Sequence, residues 1–309
     1  MIKTYRNFIL FFLIIVSILL FFLKKYNDII KQNELDILVS NNIELINNEI
    51  SYQKKYALSL AILFSKNKTI IDTLKNNQPI QLKKELNNLL KTIFVYTKQQ
   101  NIQVQVHTKE LKVFVRNWED KDKGLNLSSF RKGLVKVQQT KQPFVSNELG
   151  KRFNIKAISP IFNENKYIGS LEVIMDYSTL KERLQMASIE VMPILNNKFL
   201  TIAKSLKNNK QLYDYVVIEK TYNENLYNTL LNNQYLLSHN QLYYEIDDTI
   251  ITFIPLGHIE NETVGYLVAS FKNTNQNFNY LPSYKYKGSI NTTITPDKNI
   301  QDKKNILIK

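Results

Sequence analysis

The chain opens on an apolar run. Residues 8–23 carry one polar side chain, Ser17, with Lys3 and Arg6 before the run and Lys24 and Lys25 after it. Sixteen helical residues extend about 24 Å, against a hydrocarbon core of about 30 Å. Tyr5 and Tyr26 at the interfaces and snorkelling lysines close the difference. No small-x-small cleavage pattern follows Leu23, so an uncleaved transmembrane signal anchor is expected, with a cleavable signal peptide as the rival. Residues 1–7 are then a short cytoplasmic tail, and everything after Lys24 lies outside.

The pattern then becomes helical. Between residues 27 and 65 there is no Gly or Pro, and Leu35, Leu38, Leu45, Ile46, Ile50, Ala57, Leu60, Ala61 and Phe64 recur at spacings of mostly three and four. A helix of that length, about 57 Å, needs a partner along it, either a second copy or the domains that follow. A second stripe over 80–98, with Leu82, Leu86, Leu89, Leu90, Ile93 and Phe94, predicts another helix.

At Ile102 the period drops to two. Ile102-Gln-Val-Gln-Val-His-Thr108 alternates as a half-buried strand does, and 113–118 follows as its hairpin mate. A short helix over 129–141 and strands over 153–162 and 167–177, joined by a turn at 163–166, complete one module. A helical connector over 178–188 leads to strands at 189–194, 213–218, 243–246, 249–255 and 263–271, the last two joined by a turn at 258–262. The expected architecture is α+β. A transmembrane helix runs into a stalk; residues 24–98 support two antiparallel-sheet modules, 99–180 and 181–272; residues 273–309 form a polar, unstructured tail.

The net charge of +14 brings nucleic acid to mind, but the lysines are spread evenly among abundant asparagines, without a dense basic run. No nucleic-acid partner is expected. The absence of cysteine excludes disulfides, thiolate catalysis and Cys-ligated metals. There is no P-loop, no dinucleotide glycine pattern and no Gly-x-Ser-x-Gly elbow. None of the three histidines has a second at helical ligand spacing. No enzyme, cofactor or metal site is expected.

The candidate chemistry lies between residues 102 and 177. This stretch holds the only tryptophan, Trp118, and three of the five arginines, Arg116, Arg131 and Arg152, in a chain whose positive charge is otherwise lysine. Guanidinium grips a carboxylate through two parallel hydrogen bonds, which ammonium cannot do. Arg116 and Trp118 share a face of a regular strand, as do Glu172 and Asp176. With His107, Arg131 and Glu148 they form a candidate ligand-binding set for a small carboxylate or a zwitterion. The alternative is that these charges pair with one another and only hold the fold.

These segments resemble the double Cache sensor domain found ahead of bacterial two-component sensor kinases and chemoreceptors. The likeness rests on His107-Thr108, Val113-Phe-Val-Arg-Asn-Trp118, Gly124-Leu-Asn-Leu-Ser-Ser-Phe-Arg131, Asn147-Glu-Leu-Gly150, Ile158-Ser-Pro-Ile161 and Ile168-Gly-Ser-Leu-Glu172. It covers about residues 8–275. The resemblance implies PAS-like modules in a single-pass protein of the bacterial cell membrane, its bulk periplasmic, with the ligand in the membrane-distal module. The amino-acid-binding Cache pattern carries a Tyr ahead of Arg-x-Trp and another after it; here Leu111 and Glu119 stand near those places. Such receptors also continue into a second span and an output domain. This chain is therefore expected to signal through a separate partner and to pair as a homodimer through the long helix. A truncated receptor or kinase, and an envelope protein with a non-binding Cache fold, are the alternatives.

Overall fold

The computed structural model describes residues 2–257 and 262–273, with side chains from residue 11 onward. The expected turn at 258–262, apart from Glu262, and the polar tail from residue 274 lie outside these. Helix α1, Ile2–Ser65, is continuous over 64 residues, joining the expected anchor and stalk in one element, as a stretch free of Gly and Pro permits. The apolar side chains of residues 11–15 and 18–23 are exposed. Among the described residues, no helix is long and apolar enough to cross a membrane; the run expected to do so begins at Phe8, before the described side chains.

Two short-range devices turn the chain back after α1. Asn67 caps α2 (Lys68–Lys75) by accepting from the Ile70 N–H at 3.1 Å, and Pro79 opens α3 (Pro79–Thr97), where its missing N–H costs nothing. The first sheet then forms from β1 (Ile102–Thr108), β2 (Val113–Arg116), β3 (Phe144–Leu149), β4 (Phe153–Asn163) and β5 (Lys166–Met175), with α4 (Lys132–Thr140) between β2 and β3. Its order is β2-β1-β5-β4-β3, with every pairing antiparallel.

Helix α5 (Ser178–Gln185) connects to the second sheet: β6 (Glu190–Asn196), β7 (Gln211–Leu212), β8 (Tyr215–Val217), β9 (Tyr243–Ile246), β10 (Thr249–Gly257) and β11 (Thr263–Lys272), with α6 (Glu224–Asn232) between β8 and β9. Its order is β7-β8-β6-β11-β10-β9. Apart from the short β7, this repeats the 2-1-5-4-3 order of the first sheet. The repeat reaches the residue level. Ile168-Gly169-Ser170-Leu171 and Val264-Gly265-Tyr266-Leu267 open the equivalent strands, and a Cβ on either glycine would strike the carbonyl of His107 or Ile194 on the neighbouring strand.

Helix α1 is the spine of both modules. One hydrophobic cluster joins its Leu38, Val39, Ile46, Ala57, Leu60, Ala61 and Phe64 to Val104, Ala157, Leu171 and Val173 of the first sheet and to Ile250, Leu267 and Ala269 of the second. The small Ala57 and Ala61 admit the first sheet closely, and Ser65 Oγ meets Ser159 Oγ at 2.8 Å across the contact. This burial answers the demand of a helix too long to stand alone. The far side of the second sheet packs Met192, Ile194 and Val268 against Leu226, Tyr227 and Leu230 of α6.

The strand and helix expectations hold in place and type, with shifted ends: the 113–118 strand stops at Arg116, and 213–218 shortens to β8, preceded by the unexpected β7 and by Tyr213, which has φ 51°. Strand β3 and helices α2 and α6 were not expected.

Candidate functional site

Register divides the first sheet into two unlike faces. Val104, Val106, Leu171, Val173, Ile155 and Ala157 face α1. The intervening positions point the other way, beneath α4 and the 117–131 segment, and are mostly polar, with Ile158, Ile174 and Phe144 among them. Arg116, Gln105 and Glu172 pair in succession across β2, β1 and β5; His107 pairs with Ser170, Ser146 with Lys156, and Glu148 with Asn154. Gln105, His107, Arg116, Arg131, Glu148, Lys156, Ser170 and Glu172 are all buried. Burying that many ionisable groups is costly unless they are paired.

Arg131 is the hub. It enters from the residue before α4, donates from Nε to Glu148 Oε1 at 3.2 Å, and grips Glu172 with both terminal nitrogens. Burial works against its charge, but Glu148 and Glu172 overcome this and leave its pKa raised. The Gly133 N–H donates to the same Glu148 Oε1 at 3.1 Å. His107 lies with Nε2 3.6 Å from Glu172 and Nδ1 3.2 Å from Ser170 Oγ, its Nε2 also meeting the Gln105 amide. Burial, then the charges of Arg131 and Arg116, hold its pKa well below the imidazole range, so the ring is neutral.

Arg116 belongs to a neighbouring group. Nε donates to Gln105 Oε1 at 2.6 Å; Nη1 donates to Glu119 at 2.6 Å and Asp122 at 2.7 Å. Its guanidinium lies 5.6 Å from the Trp118 ring. It also lines an open groove of ≈ 520 Å³ between β2 and α3, with Lys83, Asn87 and Lys121.

Five of the seven candidates thus meet on or over one face: His107, Arg116, Arg131, Glu148 and Glu172. Trp118 lies in the bend after β2 and reaches the set only through Arg116. Asp176 is a correction. Strand β5 ends at Met175, so the alternation that would align Asp176 with Glu172 has stopped; its carboxylate instead accepts from the Ser178 N–H at 3.1 Å at the start of α5. It lies near Glu219 of the second module, which burial and then the Asp176 charge push up to about 7.

A family model described as a double sensory domain of two-component sensor kinase matches residues 39–270. The chain belongs to this double Cache family. No curated protein matches it in sequence. Among solved structures, the sensor domain of the histidine kinase DctB from V. cholerae is 13% identical, covering 76% of this chain and 96% of that one at a TM-score of 0.44. The ligand-binding domain of the Campylobacter jejuni chemoreceptor Tlp3, in complex with L-valine, is 12% identical over 79% and 96% of the two chains, at a TM-score of 0.46. A domain of a sensory box/GGDEF family protein from Vibrio parahaemolyticus is 12% identical over 79% and 97%, at 0.48.

In this double Cache chain, sequence reasoning passed over Gln105, Ser146, Lys156 and Ser170. Gln105, Lys156 and Ser170 sit on expected strands at the polar parity, which was the available signal; Ser146 lies on β3, which the sequence pattern does not show. Alternation alone reads such positions as facing water; α4 and its flanking segment cover them instead.

Proposed function

We propose that this chain is a membrane-anchored, extracytoplasmic small-molecule sensor that signals through a partner. The anchor is residues 8–23, the first-sheet module is membrane-distal, and the ligand, a carboxylate or zwitterion, binds on that module's covered polar face. One observation carries the reading. A family of sensory domains is represented here by a sheet with one apolar face on α1 and an opposite face of buried charges, polarity that packing alone does not require. A thermal-shift screen of the full chain, extracted from membranes in detergent, tests it with organic acids, amino acids, amines and purines. A ligand at one hundred times its Kd is expected to stabilise by about 2.7 kcal/mol. Recovery of the chain without detergent would overturn the anchor, and no response to any class would overturn the sensor.

Pairing through α1 is part of the proposal. Tyr26, Ile29, Ile30, Ile37, Tyr52 and Leu63 are exposed, and at 100° per residue they fall within an arc of about 160°. Such a stripe suits a second copy. Sedimentation in detergent is expected to give a dimer; a monomer at all concentrations would refute the pairing.

A second reading has its own observation. Arg131 holds two carboxylates and Arg116 two more, so these charges are satisfied internally. An envelope protein with a closed Cache fold would show that pairing and a silent screen.

A further inference from the structure

The polar face divides into engaged and idle groups. Arg116, Arg131 and both ring nitrogens of His107 have protein partners. Three groups near the β3–β4 end do not. Ser146 Oγ and Glu148 Oε2 are buried without a hydrogen-bond partner. Lys156 is 4% exposed; its ammonium has no hydrogen bond or ion pair among the described residues but, unlike the other two atoms, is not fully sealed from solvent. Ser146 and Lys156 are direct cross-strand partners, and Glu148 lies two residues along from Ser146 on the same face.

Two glycines back this trio. A Cβ on Gly133 would lie 2.5 Å from Glu148 Oε2, and one on Gly150 would lie 2.6 Å from Lys156 Nζ. Neither glycine has positive φ, so neither is required by backbone conformation. What glycine supplies at both places is the space that the Glu148 carboxylate and the Lys156 ammonium themselves occupy, so both groups sit close against the backbone. A donor, a donor-acceptor and an acceptor, each unpaired in a buried site, match a ligand that brings the complementary set. Oxygen anions suit Lys156 and Ser146; a hydrogen-bond donor suits Glu148 Oε2.

We propose that Lys156, Ser146 and Glu148 form the anchoring subsite, and that it takes a short acid carrying a donor on the carbon next to the carboxylate. This rests on the sensor reading above, but it moves the anchor away from Arg116 and Trp118, which act as supporting structure. The donor is a hydroxyl or an ammonium, and the experiment distinguishes them.

Isothermal titration of the full chain in detergent would use glycolate and glycine as probes, with acetate and methylamine as halves of each. Glycolate or glycine is expected to bind, and both halves more weakly. Lys156→Met and Ser146→Ala should each weaken binding at least about tenfold, the loss of one charge-assisted bond. Gly133→Ala should do likewise by crowding Glu148, and Trp118→Phe should stay within about twofold. Unchanged affinity in Lys156→Met would overturn the subsite while leaving the sensor standing. Acetate binding as well as glycolate would overturn the donor-bearing class, as would silence of all four probes in a chain that responds to another ligand. A chain that responds to nothing in the wider screen overturns the sensor reading and this inference together.

Discussion

Arg131→Met is expected to lower stability by about 3–5 kcal/mol, because it leaves Glu148 and Glu172 buried without their cation. Both carboxylates are fully buried, and Arg131 is the group that binds both. The same change at Arg116 should cost less, since its partners Glu119 and Asp122 keep 30% and 26% of their side-chain surface exposed and can return to water. Guanidinium unfolding of the two variants in detergent checks this through the midpoint at unchanged slope. A midpoint for Arg131→Met within error of the parent would show that water reaches the two carboxylates and that the face is not sealed.

Lys156→Met should act in the opposite direction and raise stability by about 1–4 kcal/mol, the usual gain when a poorly compensated buried charge becomes a packed apolar group of similar volume. Burial, and then the Arg131 charge, bring the Lys156 pKa down to about 8, with Glu172 and Glu148 opposing. A lysine titrating at about 10.5 unfolded and about 8 folded costs the protein about 3 kcal/mol at neutral pH. The sign follows from proton binding. Between those values the unfolded chain holds more protons, so stability rises with pH from about 8 to 10.5; below about 8 both states are protonated and the cost stays constant. The parent should therefore gain Tm over that window, and Lys156→Met should lose that part of the slope. A destabilised variant, or an unchanged slope, would show that the ammonium is already solvated.

The chain's own pattern determined much of the framework. A run without Gly or Pro, with an apolar stripe at three and four, could only be a long helix, and α1 follows it from end to end. Strict alternation at Ile102–Thr108 and a matching strand after a short polar link could only be a hairpin. Short elements were less legible. Strand β3 begins Phe-Val and then turns polar, and α2 and α6 span few turns, although α4 and α5 are as short and were legible. The crowding of Arg and Trp picked out the first-sheet module, and five of its seven candidates come to one face.

Tertiary structure decided what that face is. Alternation states which residues share a side; it does not state whether that side meets water or another element. The sequence places Gln105, His107, Lys156 and Glu172 at one parity, a pattern that an exposed sheet would also show. Only when α4 and its flanking segment close over the sheet do those groups become buried, Arg131 become their hub, and Lys156 become an ammonium without a partner. The same limit explains Asp176: a period of two holds only while the strand lasts, and where a strand ends depends on what packs against it. Local pattern follows from backbone geometry, which each short segment carries by itself. Burial depends on contacts between segments far apart in the chain, and it is burial that gives these charges their chemistry.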